Sequence, residues 1–202
     1  EFSRLAERFG VDIWEAIAIA NLHPRVKILK PGPGVGGHCI SVDPWFLVES
    51  APDQARLIHT ARLVNDAQPH FVVELIRRSV GDLRNKKIAA LGLAFKPDVD
   101  DLRESPAAEI VRILLHEGAS VKAYEPHQPS GLPGIPCVST LEDAVDGSDV
   151  VILLVDHAIF RTITPHQLAA LTQARVVIDL VNGWGKMDWA GAGFEIHRLG
   201  AR

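Results

Sequence analysis

Lys86-Lys87-Ile88-Ala89-Ala90-Leu91-Gly92-Leu93-Ala94-Phe95-Lys96-Pro97 is the stretch that decides the fold. Ile88 to Leu93 is a continuous apolar run with no polar residue at alternate positions. A strand with one wet face would alternate. A run that does not alternate belongs to a strand covered on both faces, as in a parallel sheet. The downstream sequence extends this reading. Residues 105–117 have helical period, opening at Ser105-Pro106 and closing at Gly118. Ser120–Tyr124, residues 150–155 and Val176–Asp179 read as further strands, and Phe194–His197 as a last edge strand. Leu141–Val145 and Pro165–Leu171 read as helices between them. Strands alternating with helices predict a doubly wound parallel sheet, so the fold class is α/β over 84–202.

Upstream the texture is all-α, and a domain boundary is expected near residues 82–87. Phe2, Leu5 and Phe9 follow a helical spacing ended by Gly10, and Asp12 reads as the N-cap of a helix through Ala20. Asp43-Pro44 reads as the cap and first position of another helix. Residues 53–83 carry a long helical stripe: Leu57, Ala61, Val64, Phe71, Leu75, Ile76 and Val80. Pro69 removes a backbone donor within it, which predicts a kink or break. Residues 1–83 have too little chain of their own to cover that stripe. The 53–83 helix is therefore expected to pack against a second copy, giving a homodimer. The chain opens within a helical spacing, without Met, and is expected to be part of a longer protein.

Composition excludes several classes. The 202 residues are 47% hydrophobic and 23% charged, as expected of a globular chain with its own core. No run of about 18 apolar residues is present, so no membrane span is expected. There is no basic region followed by an apolar one, so no secretory signal is read. A net charge of −4 without a basic stripe gives no footprint for nucleic acid. Cys39 and Cys137 are far apart, so no disulfide framework is expected, and a reducing, cytoplasmic compartment fits best.

The chemistry concentrates in Gly32-Pro33-Gly34-Val35-Gly36-Gly37-His38-Cys39-Ile40-Ser41-Val42-Asp43. Gly32, Gly34 and Gly37 satisfy GxGxxG literally, but a dinucleotide fingerprint needs a buried strand before it and a helix directly after. Val26–Leu29 is a poor strand. The glycines are better read as letting backbone approach a ligand and leaving the cysteine uncovered. A free cysteine is more often a small buried hydrophobe, and Cys137, between Pro136 and Val138, keeps that reading. Cys39 stands instead in a polar loop beside His38 and Asp43, the setting in which a thiolate can react. No partners stand at zinc-ligand spacing, so no metal is expected.

These residues carry a resemblance. Pro31 to Leu47 is similar to the catalytic-cysteine segment of the UDP-glucose/GDP-mannose dehydrogenase family, and Asn21-Leu22-His23-Pro24-Arg25-Val26 to the segment upstream of it. Gly92–Pro97, with Asp100-Asp101-Leu102-Arg103-Glu104-Ser105-Pro106, resembles the family's UDP-binding segment. Val155-Asp156-His157 and Phe160 also fit. Within the family the match is best to members acting on UDP-N-acetylmannosamine. The resemblance implies a two-step, NAD-dependent oxidation of a UDP-sugar at C6. Cys39 would be the nucleophile, and Asp43 would help orient the hydrolytic water. His23, Arg25, Gly36, Phe95 and Lys96 would contact the UDP-sugar, Arg25 at a neighbouring subunit's site. Arg103 would contact NAD. The alternatives are a UDP-glucose or UDP-N-acetylglucosamine 6-dehydrogenase, or a non-catalytic UDP-sugar-binding or dimerisation module. Two departures follow from the same comparison. Asp179 is followed by Leu180, Val181 and Asn182 where the family usually has a cation. The NAD-binding domain, with a catalytic lysine and asparagine, is expected to precede these residues, which alone are not expected to turn over.

Overall fold

The protein is described by a computed structural model that covers residues 1–185 and 187–201. Five helices come first: α1 (Phe2–Phe9), α2 (Ile13–Ala20), α3 (Asp43–Ser50), α4 (Arg56–Asp66) and α5 (Gln68–Val80). The α/β part follows as β1 (Lys87–Leu91), α6 (Pro106–His116), β2 (Ser120–Tyr124), β3 (Cys137–Val138), α7 (Leu141–Val145) and β4 (Val150–Leu153). It closes with α8 (Ala158–Arg161), α9 (Pro165–Leu171), β5 (Val176–Asp179) and β6 (Glu195–Arg198). Among the described residues no strand precedes Lys87.

The strands form one parallel sheet in the order β3-β2-β1-β4-β5-β6. Successive residues of β1 supply both faces. Ile88 and Ala90 enter a cluster with α5 and α6, whereas Ala89 and Leu91 enter one with Val145, Phe160, Leu168 and Trp184. Both faces are dry, which is why the strand carries no alternation. The chain winds outward from β1 through β2 to β3, returns to β4 beside β1, and runs to β6. The carboxyl ends of β1 and β4 therefore diverge at the switch point where open sheets bind ligands. Gly92 makes this close approach possible. Its φ is +92°, and a Cβ there would stand 2.5 Å from the Cβ of Val155.

Local signals explain most helix ends. Asp12 accepts from Trp14 N and Glu15 N, Ser105 from Ala108 N, and Thr164 closes a capping box with Gln167. Gly10 ends α1 at φ 70°. The expected break at Pro69 lies two residues earlier, at Ala67, because Pro69 occupies the start of α5, where a missing N–H costs nothing. The expected cap at Asp43 is corrected. Val42 N and Asp43 N both donate to Cys39 O, at 3.0 and 2.8 Å, so a helical turn is already closed and Asp43 is the first residue of α3, without a side-chain cap bond.

The stripe of 53–83 is divided between two uses. Val72, Val73, Leu75 and Ile76 of α5 are buried in the same cluster as β1 and α6, so this half is covered by its own chain and not by a second copy. Leu57 and Leu63 of α4 are 82% and 52% exposed, as are Phe46 and Leu47 of α3 at 61% and 56%. Ile76→Ala should lower stability by about 2–5 kcal/mol in urea unfolding. Glu74→Ala, on the exposed face of the same helix, should stay within about 0.5 kcal/mol; equal losses would put α5 outside the α/β core.

Candidate active site

A cavity of about 510 Å³ lies where the sheet's switch point meets the helical segment. Ala94, Phe95, Lys96 and Pro97 line it from the end of β1, and Leu154, Val155 and Asp156 from the end of β4. Residues 29–35 line it from the glycine loop, and Ala61, Val64, Asn65 and Gln68 from α4 and the start of α5. Its cations are Lys30, Lys96 and Arg161, the last tied to Asp156 at 2.7 and 3.0 Å. The volume suits a nucleotide-sized ligand.

The glycine loop is held by side chains of α4 and α5. Asn65 accepts from Val35 N at 2.7 Å and donates to Val35 O at 3.0 Å. Gln68 donates to Gly32 O at 3.1 Å, and Arg62 to Ile40 O at 3.3 Å. On its other side the loop lies against the α/β part. A Cβ on Gly36 would stand 2.1 Å from Glu104 O, and one on Gly37, at φ +96°, would stand 2.9 Å from the Phe95 ring. Side chains at these positions would push the loop off the segment that carries Phe95.

Cys39 emerges from this packing exposed, followed one turn later by the exposed Asp43. Beside it is a polar cluster. Arg103 donates to Asp101 at 2.6 to 3.1 Å and lies 3.3 Å from His38 Nδ1. Hydrogen bonds from the Arg103 side chain and backbone hold the Asp101 carboxyl well below the usual carboxylate range. The same pairing raises Arg103, with the charge of a Cys39 thiolate adding to it. The guanidinium is thus held by Asp101 beside His38, the residue before the loop cysteine.

Phe95 and Lys96 thus come together at the cavity, whereas Gly36 lies outside its lining, against Glu104 and Pro106. Cys39, His38 and Arg103 form the adjoining surface. His23 and Arg25 reach neither: both are exposed, and His23 Nδ1 only accepts from Arg25 N at 3.2 Å.

Sequence reading missed the group that holds the β1 loop. Glu125, just past β2, accepts from Leu93 N at 2.7 Å, Ala94 N at 3.0 Å, His157 Nε2 at 3.1 Å and His127 N at 3.0 Å. Asp98 N donates to His157 Nδ1 at 2.8 Å, so the proton of a neutral His157 sits on Nε2. With both ring nitrogens engaged, His157 has none left for a metal, although its ligand atoms cluster with those of Asp98 and His127 within 4.8 Å. The signal was the Val155-Asp156-His157 stretch, which gives no hint of a partner 32 residues away.

The same residues do not fit a cradle for NAD. Such a cradle needs a glycine turn leading from β1 straight into a helix, and an acidic group free at the end of β2 to take a ribose. Here residues 92–105 separate β1 from α6, and Glu125 is committed inward. The GxGxxG of 32–37 follows no strand, and α3 starts only at Asp43.

Residues 1–67 match the central domain of the UDP-glucose/GDP-mannose dehydrogenase family, and residues 89–186 match its UDP binding domain. The chain belongs to that family. It is 48% identical over 188 residues, 91% of its length, to an NDP-N-acetyl-D-galactosaminuronic acid dehydrogenase of Ralstonia solanacearum, of which it covers 43%. It is 41% identical over 207 aligned positions, 99% of its length, to a UDP-N-acetyl-D-mannosamine dehydrogenase of Methanocaldococcus jannaschii, of which it covers 46%. The solved UDP-D-ManNAc dehydrogenase of Pyrococcus horikoshii superposes on 98% of the chain with a TM-score of 0.86 at 33% identity, and 46% of that structure is covered. The chain therefore spans less than half the length of these relatives. Their UDP binding domain coincides with the α/β part that carries Phe95 and Lys96.

Glu125 offers a measurement on this geometry. Burial raises its carboxyl, but hydrogen bonds from His157, Leu93 and His127 outweigh that and leave it lowered from the usual 4.5. A lowered folded value means a contribution fully present above the ordinary glutamate range and lost as pH falls through the folded value. Urea unfolding from pH 6 to 3 should therefore show a steeper acid loss in the wild type than in Glu125→Gln. Parallel curves would mean that the buried carboxylate is not ionised.

Proposed function

We propose that this chain is the nucleophile- and UDP-binding part of an NAD-dependent UDP-sugar 6-dehydrogenase, oxidising UDP-N-acetylmannosamine to its uronate. The observation that carries the reading is the switch-point cavity, framed by Phe95 and Lys96 on one side and the cysteine-bearing glycine loop on the other. Relatives named for N-acetylgalactosaminuronic acid and for N-acetylmannosamine match about equally well, which favours an N-acetylhexosamine over glucose and keeps the galacto epimer as the second reading.

In this reading Lys96 meets the diphosphate as a point charge, and Phe95 gives the sugar or base an apolar wall. Arg161 and Lys30, which line the same cavity, supply positive charge that the family usually places after Asp179. His23 and Arg25 serve a neighbouring subunit's site, consistent with their absence from the cavity of their own chain. Once C6 is an aldehyde, the Cys39 thiolate adds to its carbon and the oxygen takes a proton. After oxidation to the thioester, water attacks the carbonyl and the carbon–sulfur bond breaks, releasing the carboxylate and the thiol. In the same reading Asp43, one helical turn from Cys39, holds that water. The residues described do not cradle NAD, so the hydride acceptor is assigned on family membership alone, with Arg103 its proposed contact here. Chemistry on a free thiolate suits a reducing, cytoplasmic compartment, and no helix among the described residues is long and apolar enough to cross a membrane.

In an enzyme of the relatives' full length, Cys39→Ser should lower uronate formation by at least about 10³-fold. Cys137→Ser should leave it essentially unchanged; a near wild-type rate for Cys39→Ser would remove the nucleophile assignment. The chain described here should bind UDP with a dissociation constant on the order of a millimolar, and Lys96→Ala should weaken it in an NMR titration. A homodimer is proposed through the exposed faces of α3 and α4. Sedimentation should give a dimer that Leu57→Asp converts to monomer, and a monomeric wild type would exclude that interface.

A further inference from the structure

We propose that Glu125 and His157 form a positioning pair for nucleotide binding: a carboxylate at the sheet position that elsewhere faces a ribose is turned inward to hold the Leu93–Asp98 loop. The proposal rests on the UDP-sugar reading and adds to it what keeps Phe95 and Lys96 in place.

Glu125 directly follows β2, the strand beside β1. In dinucleotide-binding sheets an acidic group there takes the ribose hydroxyls, and a glycine turn after β1 takes the phosphates. In this chain the side chain is 1% exposed, and its two oxygens are filled by Leu93 N, Ala94 N, His157 Nε2 and His127 N. Nothing is left to offer a ligand. His157, 0% exposed, donates to Glu125 from one nitrogen and accepts from Asp98 N with the other. Asp98 Oδ1 in turn accepts from Ala158 N at 2.8 Å. The loop is thus fastened at its start by Glu125 and at its end by His157.

Between these fastenings only Phe95, Lys96 and Pro97 are free to face the cavity. The pair reaches them through backbone alone, so it positions them without contacting substrate. A loop ordered in advance spares binding the cost of ordering it. Two apolar side chains would fill the same space but would leave the Leu93, Ala94 and Asp98 amides without their acceptors, so the loop would lose both fastenings.

The test is an NMR titration of this chain with UDP and with 2′,3′-dideoxy-UDP, alongside thermal unfolding, for the wild type, Glu125→Gln and His157→Phe. We expect each variant to weaken both ligands by the same factor, roughly tenfold, the scale on which supporting groups act. Hydrogen exchange at the Leu93, Ala94 and Asp98 amides should quicken in step. Unchanged affinities with a lowered melting temperature would overturn the proposal in favour of a purely structural pair. A loss seen with UDP and absent with the dideoxy ligand would overturn it too, by making Glu125 a direct ribose contact. A wild type that binds neither ligand would sink the nucleotide reading itself, and this assignment with it.

Discussion

The absence of side chains at Gly36 and Gly37 is what lets the helical segment and the α/β part share a site. A Cβ at either position would fall within 2.1 Å of Glu104 O or 2.9 Å of the Phe95 ring. Because neither exists, the loop backbone lies directly on the residues that follow β1. Asn65 and Gln68 then hold that backbone from the other side with three hydrogen bonds. The cavity wall and the exposed cysteine are consequences of this sandwich. Loosening any layer would move Cys39 relative to Lys96, and displacements of about 1 Å are enough to cost a positioned reaction most of its rate.

Two buried carboxylates show how the sheet's carboxyl edge is stiffened, and why their environments differ. Asp179 accepts from Val181 N, Gly183 N and Trp184 N, yet burial outweighs those bonds and raises its carboxyl above the usual range. Glu125 has three comparable backbone bonds and also His157, and ends up lowered. Glu125 has one donor that Asp179 lacks, the His157 imidazole N–H. Desolvating a carboxylate costs several kcal/mol unless such partners are present. The edge therefore carries one group whose charge is firmly held, under the loop that faces the cavity, and one whose charge is disfavoured, under the loop after β5.

What the sequence made legible follows from which forces are local. Buried parallel strands require apolar runs, so β1, β4 and β5 could be read within a residue or two. Caps at Asp12, Ser105 and Gly10 satisfy backbone groups within four residues and were equally readable. The exposed loop cysteine proposed as the nucleophile stands out in the sequence because glycines around a polar dipeptide have few structural uses. Other features depend on residues far apart in the chain. The stripe on 53–83 could not tell what would cover it: α6 covers the α5 half, whereas Leu57 of α4 stands exposed. The two residues of β3 and the four of α8 are too short for any period to register. Asp43 was misjudged as a cap because the turn from Cys39 closes through the backbone carbonyl, which composition does not encode.

Glu125 and His157 mark the deepest limit of that reading, since their meaning lies in a topology. Leu93, Glu125 and His157 follow three neighbouring strands, β1, β2 and β4, and the winding order alone brings their ends together. The same winding in a dinucleotide-binding domain would leave the β2 acid facing out. Here the segment after β1 is longer and climbs over the switch point before α6 begins. Its amides then lie within reach of Glu125, and the sheet's usual nucleotide contacts are replaced by internal ones. A domain built this way presents side chains, Phe95 and Lys96, where its relatives in fold present backbone N–H groups. In the proposed reading a lysine meets the diphosphate, which needs no helix N-terminus beneath it, and α6 can then start as far from β1 as it does.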